Sequence, residues 1–212
     1  VETVGGRWYA QRTETLIPQA NYGTLVPYVG PSLSYTLSWD EDSNVYQRHL
    51  YGFATMDGKV VTDPVFQSIY TMSSFDYSSG TNVDLPIWQF TRLQEGKDGP
   101  ELVAGYAALD GSWVTDAVYA SPSEGIGLSG GSDGAFLYNR STDRCVLLGT
   151  DGKEHLSLGR DTLDSDGEWW YYDLLSQLFA NEGYACLQHR DHNYDPTGVT
   201  IYDLSTGDVL AA

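Results

Sequence analysis

The sequence predicts a mainly β protein made of antiparallel β-hairpin repeats, with one helix near residues 168–180. Two observations support this fold class. A motif with a central Asp-Gly pair occurs twice, 53 residues apart. The composition is rich in aromatic residues (16 Tyr, 6 Trp and 6 Phe) and in Gly (23), which favours many short strands joined by tight turns. With 212 residues, 41% of them hydrophobic, the chain is long enough for a single β-rich domain spanning residues 1–212.

The repeated motif defines the building unit of the fold. Its first copy covers Tyr51–Phe66, and its second copy covers Ala104–Tyr119. Both copies contain, in this order, Gly, an aromatic residue, Ala, Asp-Gly, Val-Thr-Asp and a closing Val-aromatic pair. A looser third copy around residues 146–155 keeps the Asp-Gly pair but has Val146 at the position of the first Gly. We therefore predict hairpin repeats at about residues 45–70, 101–120 and 144–158.

Each Asp-Gly pair is predicted to form the turn of a hairpin. The turn residues of the two clear copies are Asp57, Gly58, Asp110 and Gly111. A two-residue type I′ turn needs φ > 0 at both central residues, which Asp and Gly tolerate. The earlier glycines, Gly52 and Gly105, lie inside the incoming strands, and we expect a bulge or a close backbone approach at each.

The other elements follow from periodicity and from turn residues. Alternating or apolar segments predict further strands at residues 4–13, 33–39, 87–93, 135–138, 144–148, 184–188 and 199–204. Segments rich in Gly, Ser or Pro predict loops at residues 14–31, 71–86 and 121–134. A helix is predicted to begin near Glu168 and to end at residues 181–183, with Trp170, Leu174, Leu175 and Leu178 on one face. Whether the hairpins form a barrel, a propeller-like array or an open array is left undecided.

The hairpin motif resembles the WG repeats, also called KWG repeats, of bacterial proteins. Those repeats read aromatic-Gly-aromatic, then Asp-Gly-Lys, then Pro-x-aromatic, and Tyr51–Phe66 is similar to this pattern throughout. The second copy departs from it at Ala104 and Ala117. The resemblance implies β-hairpin arrays, often in secreted or cell-envelope proteins, with no established chemistry and no catalytic residue. It therefore implies an extracytoplasmic location, either secreted or anchored to the envelope.

The charge balance restricts the class of partner. The net charge is −18, with only 11 basic residues, and no Lys/Arg cluster is present to displace the counterions of a nucleic acid. No segment approaches the ~20 apolar residues that a membrane-spanning helix needs. We expect a protein or neutral glycan partner, no nucleic acid and no membrane span.

One polar segment is a candidate metal site. Two His and two Asp lie within residues 189–195, and the candidate ligands are His189, Asp191 and His192. A solvated loop ending in Asp-Pro-Thr-Gly explains the same residues, and no other segment supplies the remaining ligands. Residues 164–168 resemble part of a calcium loop, but helix capping explains them equally well. We therefore expect neither a metal nor a cofactor.

No catalytic residue is assigned from the sequence. The chain has no Gly-x-Ser-x-Gly elbow, and neither Cys145 nor Cys186 has a local motif for a nucleophile. The candidate ligand contacts are aromatic, Trp113 and Trp169, because each lies beside a turn or a helix start. The function predicted is a non-enzymatic, extracytoplasmic β-hairpin repeat module that binds a partner. The alternative is a carbohydrate-binding or carbohydrate-processing module that uses exposed aromatic residues and paired carboxylates.

Overall fold

The computed structural model describes residues 2–4, 7–9, 23–36, 45–76, 79–96, 99–121, 131–162, 170–191, 193 and 195–212. Its secondary structure is mainly antiparallel β, as the sequence predicts. The chain forms two compact units: the first contains residues 1–70 and 87–117, and the second contains residues 71–86 and 118–212. Every sheet in the described part of the chain has two open edges, so none closes into a barrel.

Fifteen strands and one α-helix make up the described structure. The strands are β1 (Glu2–Val4), β2 (Arg7–Tyr9), β3 (Leu25–Thr36), β4 (Val45–Thr55), β5 (Ser68–Asp76), β6 (Thr81–Gly96), β7 (Gly99–Ala108), β8 (Tyr119–Ala120), β9 (Gly134–Asn139), β10 (Arg144–Gly149), β11 (Glu154–Leu158), β12 (Leu178–Asn181), β13 (Tyr184–Arg190), β14 (Pro196–Asp203) and β15 (Val209–Ala211). The helix is α1 (Trp170–Gln177), and short 3-10 helices cover Gly131–Asp133 and Arg160–Thr162.

In the first two copies the structural repeat has three strands, of which the motif marks only the second and third. In the first copy, β3 pairs with β4, and residues after the turn return along β4 with Val60 opposite Ala54. In the second copy, β6 pairs with β7, and the return segment places Val114 opposite Ala107. The strand that precedes each motif is therefore part of the unit.

Each strand glycine lies under an aromatic ring of the preceding strand. Tyr28 is directly opposite Gly52, and Phe90 is directly opposite Gly105. A Cβ added to Gly52 would lie 2.6 Å from Tyr28 Cε1, and one added to Gly105 would lie 2.5 Å from Phe90 Cε2. Only glycine leaves room for these rings, which confirms the close approach that the sequence predicts.

The threonine of the Val-Thr-Asp segment holds the return strand in place. The backbone N–H of Phe53 donates to Thr62 Oγ1 at 2.9 Å, and that of Tyr106 donates to Thr115 Oγ1 at 3.0 Å. In each copy the threonine N–H donates back to the carbonyl of the same aromatic residue. This reciprocal pair of hydrogen bonds is the same in both copies and explains why both contain threonine.

The Asp-Gly turns are not of type I′, so that prediction is wrong. Gly58 has φ 87° and Gly111 has φ 71°, but neither Asp57 nor Asp110 has a positive φ. In the first copy Gly58 N–H donates to the Thr55 carbonyl, which is a type I turn followed by a left-handed glycine. Positive φ at both central residues occurs instead at Glu182 (52°) and Gly183 (83°), in the two-residue turn between β12 and β13.

The two turns also differ in length by one residue. In the first copy Thr55 N–H donates to the Lys59 carbonyl, and both Val61 and Thr62 donate to the Phe53 carbonyl, which is a β-bulge. In the second copy Ala108 N–H donates to the Trp113 carbonyl, so the turn is one residue longer and no such bulge follows. The extra residue lies in the bulge of one copy and in the turn of the other.

The third copy has the same hydrogen-bond pattern as the first. Gly152 (φ 77°) donates to the Gly149 carbonyl, and Gly149 N–H donates to the Lys153 carbonyl. Leu148 lies opposite Glu154, and Leu147 lies opposite Leu156, so a bulge falls at the intervening residue, His155. This copy, the least regular in sequence, is therefore closer to the first copy in backbone pairing than the second copy is.

The core of the first unit is aromatic. The ring of Phe53 lies 5.8 Å from that of Phe66 and 6.3 Å from that of Phe90, both in edge-to-face arrangements. Trp88 lies 6.0 Å from Phe53 and borders the same cluster. Because Phe53 belongs to the first copy and Phe90 to the second, this core joins the two hairpins.

The core of the second unit lies between α1 and two groups of strands. β8 to β11 follow one another in order, and β12 to β15 form a four-stranded sheet in chain order. Leu174 of α1 is fully buried with Leu147 of β10 and Leu187 of β13. Tyr171 stacks on Tyr138 of β9 with ring centroids 3.9 Å apart. Both cysteines are free thiols: Cys145 is buried in this core, and Cys186 is partly exposed.

Four predicted boundaries differ from the structure. The segment 4–13 is predicted as one strand, but β1 ends at Val4 and pairs antiparallel with β2, with Val4 opposite Arg7. The helix ends at Gln177, and Leu178 instead begins β12 opposite Leu187, because pairing with β13 satisfies its backbone groups. The predicted loop at residues 71–86 contains the end of β5 and the start of β6, where Met72 and Ser74 are buried. The predicted loop at residues 14–31 overlaps β3, which begins at Leu25.

Substituting Gly52 and Gly105 tests whether the aromatic rings above them require glycine. We expect Gly52→Ala and Gly105→Ala each to lower the free energy of unfolding by about 1–3 kcal/mol, because the new methyl group would overlap an aromatic ring. Gly198→Ala is the matched strand control, since its Cβ would lie 4.0 Å from the nearest atom, His189 Cδ2. Urea unfolding of the three variants measures the difference. Equal unfolding midpoints for all three would show that the rings do not require glycine.

Candidate functional site

The predicted metal ligands do not form a site in the described residues. His189 Nε2 lies 2.7 Å from Thr200 Oγ1 on the neighbouring strand β14. Asp191 Oδ1 accepts the backbone N–H groups of Asn193 and Asp195, so it stabilises the loop between β13 and β14. His192 lies outside the described residues. No group of three or more His, Cys, Asp or Glu side chains suited to a metal occurs in the part of the chain that the structure describes.

Of the two tryptophans predicted to contact a ligand, the structure describes only Trp113. Trp113 is half-buried at the start of the second return strand, where its carbonyl accepts the Ala108 N–H at 3.0 Å. Trp169 lies outside the described residues. Trp113 belongs to the first unit, and its role in binding remains a prediction.

The third copy departs from the other two at linked positions. Gly149 replaces Thr55 of the first copy, and His155 replaces Val61 at the bulge. A Cβ on Gly149 would lie 2.5 Å from His155 Cδ2 and 2.9 Å from Asp151 Oδ1. The absence of a side chain at Gly149 therefore makes room for the imidazole, and the two substitutions depend on each other.

His155 and Asp151 form a hydrogen-bonded pair. His155 Nε2 lies 2.9 Å from Asp151 Oδ1. An ionised carboxylate only accepts, so Nε2 carries the proton, and Nδ1 of the neutral ring is an acceptor. Burial alone would raise the pKa of Asp151, but hydrogen bonds from His155 and from the Lys153 N–H, together with the positive charge of Lys153, hold it below its ordinary value. Asp151 is thus an anion that orients the imidazole.

Asp133 is placed by the short helix Gly131–Asp133. Gly131 is buried with φ 56°, and an added Cβ would lie 3.0 Å from the Ala180 carbonyl oxygen, so this helix packs closely on β12. Asp133 Oδ2 accepts the N–H of Gly183 at 3.1 Å, in the turn that follows β12. The carboxylate is thereby fixed beside the end of the four-stranded sheet.

The turn between β14 and β15 lies beside the turn between β12 and β13. Leu204 N–H donates to the Gly183 carbonyl at 2.9 Å, so the β14–β15 turn is tied to the β12–β13 turn. Ser205 donates from both its backbone N–H and its hydroxyl to Asp203 Oδ1. These turns therefore hold Leu204 and Ser205 in defined positions.

The third hairpin and the two turns border a pocket of ≈ 220 Å³ within the second unit. Its lining residues are Asp133, Leu147, His155, Gly183, Leu204 and Ser205. We call it the third-copy pocket. Leu147 and Leu204 are buried and form apolar walls, whereas the other side chains supply a carboxylate, an imidazole and a hydroxyl. The pocket is the candidate functional site.

Sequence reasoning did not identify this site. Asp133 lies 22 residues before His155 and falls in the segment predicted to be a loop. One signal was available: the third copy has a histidine at the position where the first two copies have valine, Val61 and Val114. Bulges often occur next to functional sites because they redirect a side chain.

No protein-family model, curated protein or solved structure matches this chain. In the described residues, no helix has the length and apolar character required to cross a membrane.

The His155–Asp151 pair can be tested by titration. We expect His155→Gln and Gly149→Ala each to raise the pKa of the Asp151 carboxyl, because each disturbs the hydrogen bond that favours its ionised form. Carboxyl ¹³C shifts measured against pH report the change. Asp110 is the internal control, since its pKa is lowered by Ser112 and not by a histidine.

The depressed pKa of Asp151 also makes its contribution to the free energy of unfolding depend on pH. The folded-state pKa of Asp151 is depressed, so its contribution is present above the unfolded-state pKa and is lost as the pH falls through the folded-state pKa. The stability difference between wild type and Asp151→Asn should therefore shrink on acidification. An unchanged Asp151 titration in both His155→Gln and Gly149→Ala would contradict the pairing.

Proposed function

We propose that the chain is a non-enzymatic β-hairpin repeat module that binds a protein partner with a basic surface through the third-copy pocket. One observation carries this proposal: the third copy keeps the backbone pairing of the first but changes Gly149 and His155 together, next to the pocket. Changes that leave the backbone intact and alter only the side chains beside a concavity are typical of a binding site on a repeated scaffold.

The charge of the chain supports a basic partner. A net charge of −18 attracts cationic surfaces and raises their association rate, and it repels nucleic acids and other polyanions. Asp133 and Asp151 add negative charge at the pocket and in the neighbouring hairpin. The partner class that agrees with both the whole chain and the local site is therefore a protein rich in Lys or Arg.

The carbohydrate alternative has weaker support at this pocket. Sugar rings commonly pack on exposed Trp, Tyr or Phe side chains, and none of the described lining residues is one of these. The hydroxyl, carboxylate and imidazole groups do suit a polyol. A neutral glycan is for this reason the competing outcome of the binding experiment below.

Peptide and glycan arrays distinguish the two functions. We expect the wild type to bind basic peptides in preference to neutral or acidic peptides and to glycans, and His155→Gln to weaken that binding at least about fivefold. Asp110→Asn is the matched control, because it changes a hairpin carboxylate outside the pocket. Binding to glycans alone would establish the alternative, and no binding on either array would contradict a binding module.

A Trp113→Ala variant tests where the partner contacts the chain. If the third-copy pocket holds the partner, this substitution in the first unit should leave binding to basic peptides within about twofold of wild type. A loss of binding that matches or exceeds that of His155→Gln would transfer the contact to the aromatic residue predicted from the sequence.

From the resemblance of Tyr51–Phe66 to WG repeats we also propose an extracytoplasmic location, either secreted or attached to the envelope. Fractionation of cells that produce the full-length protein tests the location. Recovery in the cytosol alone would contradict it.

A further inference from the structure

We infer that the third-copy pocket receives a primary ammonium group on an alkyl chain, namely a lysine side chain of the partner. This inference rests on the proposed function and specifies which basic group the pocket takes. It follows from the hydrogen-bonding capacity that the lining residues retain once their internal bonds are counted.

The remaining polar atoms of the pocket side chains are acceptors. Asp133 Oδ2 accepts the Gly183 N–H, and Oδ1 accepts no hydrogen bond from the described part of the chain. His155 uses its Nε2 proton on Asp151, so its second nitrogen accepts. The Ser205 hydroxyl spends its proton on Asp203, which leaves the lone pairs of Oγ. Three side chains therefore offer acceptors and no donor.

A primary ammonium group complements this set. It carries three N–H donors and one positive charge on a flexible apolar stem, and it has no acceptor that would be left unpaired. Leu147 and Leu204 provide apolar walls for the methylene groups. The volume of ≈ 220 Å³ corresponds to about seven water molecules, enough for a four-carbon stem with its head group.

Other ligand classes fit less well. A phosphate or carboxylate would meet Asp133 and a set of acceptors, which is repulsive and leaves no hydrogen bonds. A divalent metal ion requires more carboxylate or imidazole ligands than the two lining residues Asp133 and His155 supply. A lysine side chain carries the required group, and the net charge of −18 favours the basic surface that would present it.

The test uses the full chain, ¹⁵N-labelled, titrated with n-butylammonium chloride in the presence of EDTA. We expect saturable amide shifts at Asp133, His155, Gly183 and Ser205, with a Kd of roughly 1–10 mM for so small a probe. n-Butanol, with the same stem and no charge, should give no saturable shifts. Tetramethylammonium, with the charge and no N–H donor, should bind at least about fivefold more weakly.

Removing the negative charge of Asp133 tests its part in binding the ammonium group. Asp133→Asn retains a carbonyl oxygen that can accept the Gly183 N–H, so the fold should persist while n-butylammonium binding falls about fivefold or more. Asp110→Asn is again the matched control. If Asp133→Asn does not fold, Gly149→Ala serves as the second variant, because it displaces His155 without changing charge.

Two further probes identify the source of the ammonium group. A capped lysine peptide should bind more tightly than n-butylammonium, since its backbone adds contacts, and the corresponding norleucine peptide should not bind. Tighter binding of the free amine than of the lysine peptide would overturn the assignment to a protein side chain.

Equal shifts with magnesium chloride in the absence of EDTA, or no shifts with any amine, would overturn the ammonium site. Array binding to arginine peptides without any amine-induced shift would overturn this inference while leaving the proposed function standing.

Discussion

The fold depends on how each repeat hairpin accommodates one extra residue in its return strand. A left-handed glycine closes the Asp-Gly turn in each of the three copies, and the segment that returns from the turn has one residue more than regular pairing accommodates. The first and third copies place that residue in a bulge, at Val61 and His155, whereas the second copy places it in a longer turn. Thr62 and Thr115 therefore accept hydrogen bonds from equivalent cross-strand residues, although a bulge precedes the first and a longer turn precedes the second.

The site follows from this constraint. A bulged residue is released from the regular alternation of the strand, so its side chain can take a new direction. In the first copy that residue is an aliphatic valine beside the aromatic core. In the third copy it is His155, which lies over Gly149, pairs with Asp151 and borders the pocket. The bulge that sets the register of the third hairpin is thus also the position that brings an imidazole to the pocket.

The sequence was sufficient for the features that a residue type determines locally, and insufficient for those set by distant packing. Gly58 and Gly52 mark a turn and a close approach because only glycine meets those backbone and steric demands. The turn type was wrong because an Asp-Gly pair is compatible with several turns, and pairing with the whole return strand selects one. Leu178 has helical spacing but joins a strand, because β13 offers it a partner. Asp133 was not found because only the packing of its short helix on β12 brings it to the pocket.

A hairpin exchange tests directly whether the side chains of the third copy, on a backbone shared with the first, form the binding site. The segment 149–155 would be replaced by the seven residues found at 55–61, which have the same length, turn and bulge. We expect a cooperatively folded protein with β structure equal to that of the wild type and with no saturable binding of n-butylammonium. A chimaera that fails to fold would contradict the equivalence of the two hairpins, and one that binds as the wild type does would contradict the assignment of the site to the third copy.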